Sequence, residues 1–164
     1  MQTNNKRRGK YFEDKIARKI REWTGLDEHD CYRASCSGSR QSVEFGDIIF
    51  DYRKNPVIVE CKYYRDFSLE KVFPHPCSLV HNWIEQLGEE SSRFEREFHE
   101  IPVSAVVVSK PRGDIFLLGE WKDIYTHDVG PHFRFQVKKV GESEPGEFFL
   151  TEFGYITKMV YFRK

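Results

Sequence analysis

No apolar run in this 164-residue sequence approaches the length that crosses a bilayer, so a membrane-spanning chain is not expected. The opening Met-Gln-Thr-Asn-Asn-Lys-Arg-Arg lacks the apolar stretch of a secretory signal peptide. Both observations predict a cytoplasmic protein with no membrane partner, and four cysteines that stay reduced. C-x₂-C pairs are missing too. His29, Cys31 and Cys36, or Cys77 and His81, could be drawn into a zinc site, but scattered core or loop thiols fit the spacing better. Internal repeats and long linkers are absent, which predicts a single domain over residues 1–164, large enough to bury a core.

Net charge is also lacking, with 26 basic and 26 acidic side chains. An overall zero looks wrong for a protein that handles nucleic acid, but the charge is unevenly spread. Residues 1–25 hold eight basic side chains (Lys6, Arg7, Arg8, Lys10, Lys15, Arg18, Lys19, Arg21) against the acidic Glu13, Asp14 and Glu22. Residues 85–100 hold six glutamates and two arginines. A basic front and an acidic back suit a protein that turns one face to phosphates. A solvated helix that happens to be basic fits the same count.

What is present is rich in pattern. Phe12, Ile16, Ile20 and Trp23 recur at helical spacing, predicting an amphipathic helix from about 8 to 24 that ends at Gly25. Glu13 lies beside that stripe. Cys31–Ser35 reads as extended, and the small polar residues 36–42 as a loop. After the break at Pro74–Cys77, Ser78 is placed to cap a second helix striped by Leu79, Trp83, Leu87, Phe94 and Phe98, with Gln86 at the stripe's edge. Pro102–Ser109 reads as a buried strand. Further strands are expected at 115–118, 133–140, 147–153 and 155–162. Helices and strands in this order imply an α/β sandwich with a mixed central sheet.

The most informative stretch runs from Gly46-Asp47 to Glu60-Cys61-Lys62. Turn-forming residues from Asp51 to Pro56 separate two apolar runs, predicting a β-hairpin. A turn centred between Arg53 and Lys54 sets 47 opposite 60, 48 opposite 59 and 49 opposite 58. Ile48, Phe50, Val57, Val59 and Cys61 then share one apolar face, while Asp47, Ile49, Ile58, Glu60 and Lys62 share the other. Two adjacent carboxylates repel unless a cation lies between them, and a hard divalent ion with oxygen ligands answers that need. A neighbouring lysine can orient a water as nucleophile. A cross-strand ion pair on an exposed face satisfies the same spacing, so two readings stand at this point.

Taken together, these elements resemble the PD-(D/E)xK nuclease superfamily, and within it the archaeal-type Holliday junction resolvases. Arg8-Gly9 followed by Glu13 is similar to the R/K-G-x-x-x-E start. Arg33-Ala34-Ser35-Cys36-Ser37-Gly38-Ser39 is similar to the arginine plus Ser/Gly loop, Gly46-Asp47-Ile48 stands where the family has Pro-Asp-Ile/Leu, and Glu60-Cys61-Lys62 is the E-x-K element. Gln86-Leu87 before a Val-rich strand also matches. The likeness covers roughly residues 6–120. Gly46 in place of proline is expected to matter little, the segment 64–78 looks longer than usual, and the β-rich extension from about 120 to 164 has no counterpart.

The resemblance implies a restriction-endonuclease-like fold and a metal-dependent endodeoxyribonuclease that resolves four-way DNA junctions by paired nicks. It assigns Asp47, Glu60, the Cys61 carbonyl and Glu13 to Mg²⁺ (with Mn²⁺ as substitute) and Lys62 to the attacking water. Arg33, Ser37 and Ser39 would hold the phosphate near the cut, while Arg7, Arg8, Lys10 and Arg40 would bind DNA elsewhere. It further implies branched DNA as partner and a homodimer, with roles in recombination and repair. Two alternatives remain: a repair or restriction-type endonuclease acting on duplex or flapped DNA, and a non-catalytic DNA-binding module.

Overall fold

Phe12, Ile16, Ala17 and Ile20 are all but fully buried along one side of the first helix, α1 (Gln2–Thr24). In this computed structural model, described at residues 2–34, 45–52, 54–65, 67–68, 78–110, 112–120, 124–126, 132–137, 143–153 and 160–162, α1 begins six residues before the expected start. No apolar residue marks that first stretch, so hydrophobic spacing could not reveal it. Gly25 ends the helix with φ +76°, and its N–H donates to the Arg21 carbonyl at 2.8 Å, the usual glycine close.

The strands that follow are β1 (Cys31–Arg33), β2 (Ile48–Tyr52) and β3 (Asn55–Tyr63); next come α2 (Ser78–Phe98) and β4 (Val103–Ser109). Then come β5 (Ile115–Glu120), β6 (Ile124–Thr126), β7 (His132–Val137), β8 (Gly146–Glu152) and β9 (Val160–Phe162). Seven of them form one sheet in the order β1-β2-β3-β4-β5-β8-β7, and β6 pairs with β9 apart from it. Only β3 and β4 run parallel, joined through α2; the other pairs are antiparallel, so the sheet is mixed.

The two helices cover opposite faces. Val57 and Val59 lie in one core cluster with α1, along with Val103, Ala105 and Val107 of β4. Their alternates Val106 and Val108 pack with Val80, Trp83, Ile84 and Leu87 of α2, while Ile58 meets Phe45 and Phe94. Covered on both sides, β4 buries every residue, which is why its sequence shows no alternation.

Some details depart from the expected pattern and others complete it. Val80 and Ile84 share the buried face of α2, whereas Phe98 is 50% exposed, its ring only leaning on Phe45 and Phe94 at the helix end. The extension continues the main sheet beyond β5 through β8 and β7. Strand β6 lies at Ile124–Thr126, where none was expected. Of the expected strand 155–162, residues 160–162 form β9, and 155–159 lie outside the described residues.

Candidate active site

The β2–β3 ladder has the expected register, with Ile48 opposite Val59 and Ile49 opposite Ile58. Just before β2, Asp47 is fixed from both sides. Its N–H donates to the Val59 carbonyl at 2.9 Å, and its carbonyl accepts the Ala34 N–H at 2.9 Å. Gly46, which makes the approach, has φ +59°, and a Cβ there would lie 2.6 Å from Ile58 Cγ2. Proline cannot reach that φ and any side chain would collide, so this backbone path requires glycine here, while the carboxylate of Asp47 still follows it into the hairpin.

Asp47 Oδ2 accepts the Cys61 N–H at 2.7 Å, which ties the carboxylate to the E-x-K strand. Its pKa is pushed up to about 7, by burial first and the Glu60 charge next; the Cys61 amide opposes this, Glu13 adds to it and Lys62 relieves it. The Cys61 side chain packs toward the α1 core, so only its backbone belongs to the site.

Glu60 is 8% exposed and faces α2. Its Oε1 accepts Lys62 Nζ at 2.6 Å and Gln86 Nε2 at 3.1 Å. Lys62 Nζ also donates to Gln86 Oε1 at 2.8 Å, and Gln86 Nε2 donates to Glu90 Oε1 at 2.9 Å. Gln86, placed by sequence at the edge of the α2 stripe, thus stands at the centre of the network. Glu90 was counted only among the acidic residues of the helix. Its one sequence signal is the four-residue step from Gln86, which sets both on one face.

The α1 side is arranged differently. Glu13 Oε2 accepts Arg33 Nη1 at 3.0 Å, and Arg33 Nε reaches Asp14 Oδ1 at 3.1 Å. Arg33 is therefore held between two carboxylates. Arg7, Arg8 and Lys10 are exposed on the helix leading to Glu13. Ser37, Ser39 and Arg40 lie outside the described residues. Among the described residues, no three acidic, histidine or cysteine side chains converge as a formed metal cage. Asp47 and Glu60 are brought together, while Glu13 is near enough to raise the Asp47 pKa but is taken up by Arg33.

A model of the family described as "Phage putative PDDEXK endonuclease" matches residues 4–159. The chain belongs to that family. The match runs through most of the β-rich extension as well as the hairpin, as far as residue 159. The chain is accordingly a nuclease of the PD-(D/E)xK superfamily with its mixed-sheet α/β fold, and DNA is the substrate that this membership implies. Among curated proteins, no sequence matches. The structure is similar to that of Hjc from Archaeoglobus fulgidus, a Holliday junction resolvase from an archaeal hyperthermophile, at 12% identity and a TM-score of 0.42, covering 92% of this chain and 93% of that one. No helix among the described residues is long and apolar enough to cross a membrane.

Nucleases of this superfamily generally use divalent metal ions, and the residues present fit one. Asp47 and Glu60 offer hard oxygen donors, and burial together with the Glu60 charge destabilises the Asp47 carboxylate, which a cation would relieve.

Proposed function

We propose that this nuclease is a metal-dependent, structure-selective endodeoxyribonuclease that cuts branched DNA, four-way junctions above all, as a homodimer. The observation that carries the catalytic part is the Lys62 ammonium, shared between Glu60 Oε1 and Gln86 Oε1 beside the buried Asp47. Asp47, Glu60 and the Cys61 carbonyl would hold Mg²⁺ or Mn²⁺, with Glu13 joining directly or through water. Such an ion supplies Lewis-acid polarisation of the phosphate and a more acidic bound water.

The chain's own residues do the rest. Lys62 has three donors, and two are used by Glu60 and Gln86. The third remains to orient the attacking water and to meet the negative charge that grows on phosphorus as its bond to the water oxygen forms and a P–O ester bond breaks. Exposed Arg7, Arg8 and Lys10 would contact backbone phosphates on the approach to Glu13. Arg33 would exchange its two carboxylate partners for a phosphate, with Ser37, Ser39 and Arg40 assisting. A pair of sites related by a twofold axis matches the symmetry of a junction and would release paired nicks.

Incubation of a four-way junction, a flap, linear duplex and single strand with Mg²⁺ tests the proposal in one experiment. Paired nicks on opposing junction strands, with duplex of equal length spared, are expected. Equal cleavage of duplex or flap would replace the junction reading with a repair or restriction-type one. Binding without cleavage of any substrate would leave a DNA-binding module.

A further inference from the structure

We infer that Glu90 is a positioning residue of this site, setting the Lys62 ammonium through the Gln86 amide; the inference rests on Asp47, Glu60 and Lys62 being the nuclease site. Gln86 and Glu90 stand one turn apart on α2, and the Gln86 nitrogen uses its two hydrogens on two different carboxylates, Glu60 at 3.1 Å and Glu90 at 2.9 Å. Its oxygen accepts from Lys62 at 2.8 Å. A side-chain amide has a donating and an accepting end of similar shape, so its orientation is fixed only by what it faces. Carboxylates flank the nitrogen and an ammonium meets the oxygen, which leaves one orientation. Without Glu90, half of the hold on the nitrogen is lost. A turned amide would then set N–H groups against the ammonium and an oxygen against Glu60.

Glu90 behaves unlike the solvated glutamates of its helix. Glu89, Glu95 and Glu97 are exposed, whereas Glu90 turns inward and leaves its Oε2 buried with no hydrogen-bond partner among the described residues. Burying an acceptor unpaired is costly, and a residue serving only solubility would rotate outward. Burial raises the Glu90 pKa, chiefly against the Gln86 amide, and the Gly46 backbone amide and Arg93 also favour its charged form. The geometric tie of this carboxylate to the site is the Gln86 amide at 2.9 Å. Its unfavourable burial is explained if the fold uses it to hold that amide.

The experiment measures single-turnover cleavage by Glu90→Ala, Glu90→Gln, Gln86→Ala and the double Gln86→Ala/Glu90→Ala, with DNA affinity followed separately in metal-free buffer. Glu90→Ala should slow cleavage about 10- to 100-fold, the usual cost of losing an outer partner, with DNA affinity unchanged. Glu90→Gln should recover most of the rate, because its carbonyl still accepts from Gln86. In the Gln86→Ala background, removal of Glu90 should add no further loss. A wild-type rate for Glu90→Ala, no rescue by Gln, or losses that multiply in the double variant would each overturn the inference. Should Glu90→Ala not fold, Glu90→Leu takes its place, filling the same space without an acceptor. Lys62→Ala is measured alongside. If it too cleaves at the wild-type rate, the site assignment has failed; if it is inactive while Glu90→Ala is normal, only the role of Glu90 falls.

Discussion

The two helices each bring an acidic residue toward the same hairpin, and they do so in opposite ways. On the α1 side, Glu13 is 20% exposed and is met by Arg33, which also reaches the half-exposed Asp14. On the α2 side, Glu60 is buried and is met by Lys62 and Gln86, with Glu90 behind them. The first is a part-buried pair in which Arg33 is shared with the more exposed Asp14. The second is a part-buried network of four side chains in which each group shares its partners, so losing one member leaves others unpaired. Under the proposed function the difference would divide the labour: a fixed catalytic half under α2, and an adaptable half under α1 where DNA would displace the protein's own contacts.

The largest effects should come from the fixed half. Glu60→Ala and Asp47→Ala should reduce cleavage to background while DNA binding is kept or tightened, because carboxylate–phosphate repulsion is relieved. Lys62→Ala should lose several orders of magnitude in rate with metal affinity little changed. Cleavage assays paired with metal titration decide this, and near wild-type activity in either carboxylate variant would refute the assignment.

On the adaptable half, Arg33→Ala and Glu13→Gln should cost about 10- to 100-fold, as partners around a metal site commonly do. A loss as complete as that of Glu60→Ala would erase the proposed asymmetry between the faces.

A third test uses pH in metal-free protein. Asp47 has a folded pKa of about 7 against an ordinary 3.8, so its ionisation is disfavoured by folding. The native state is therefore not penalised below about pH 4, loses stability as pH rises from there through about 7, and stays penalised above that. Thermal melts in chelator should show Asp47→Asn gaining on the wild type at pH 8 and not at pH 4, with Mg²⁺ closing the gap. Equal melting curves at both pH values would mean that Asp47 carries no burial penalty.

The smallest effect concerns the basic front of α1. Changing Arg7, Arg8 and Lys10 together to Ala should lower the salt slope of DNA binding by about 2–3, given roughly 0.9 per neutralised phosphate. An unchanged slope would move the DNA away from α1.

Much of the catalytic half was legible because strand alternation is rigid: once the turn at Arg53-Lys54 is set, Ile58, Glu60 and Lys62 must share a face. The likeness to PD-(D/E)xK nucleases then drew Glu13 and Arg33 toward the same place. What escaped depended on conditions far along the chain. The first turns of α1 carry no apolar residue to reveal them. The left-handed Gly46 answers to Ile58 across the hairpin, and Glu90 acquires meaning only when α2 docks over Glu60. Likewise β8 joins β5 through pairs such as Leu118–Leu150, a contact that local pattern cannot announce.

The strand order also carries a ruler. Strand β3 lies two positions from the β1 edge of the sheet and four from the β7 edge. At about 4.8 Å per strand, two copies joined edge to edge through β1 would hold their E-x-K elements about 24 Å apart, whereas joining through β7 would set them about 43 Å apart. The first span is close to the width of one DNA duplex and the second to two lying side by side. The stagger between paired nicks, counted in base pairs, would report which edge a twofold assembly shares.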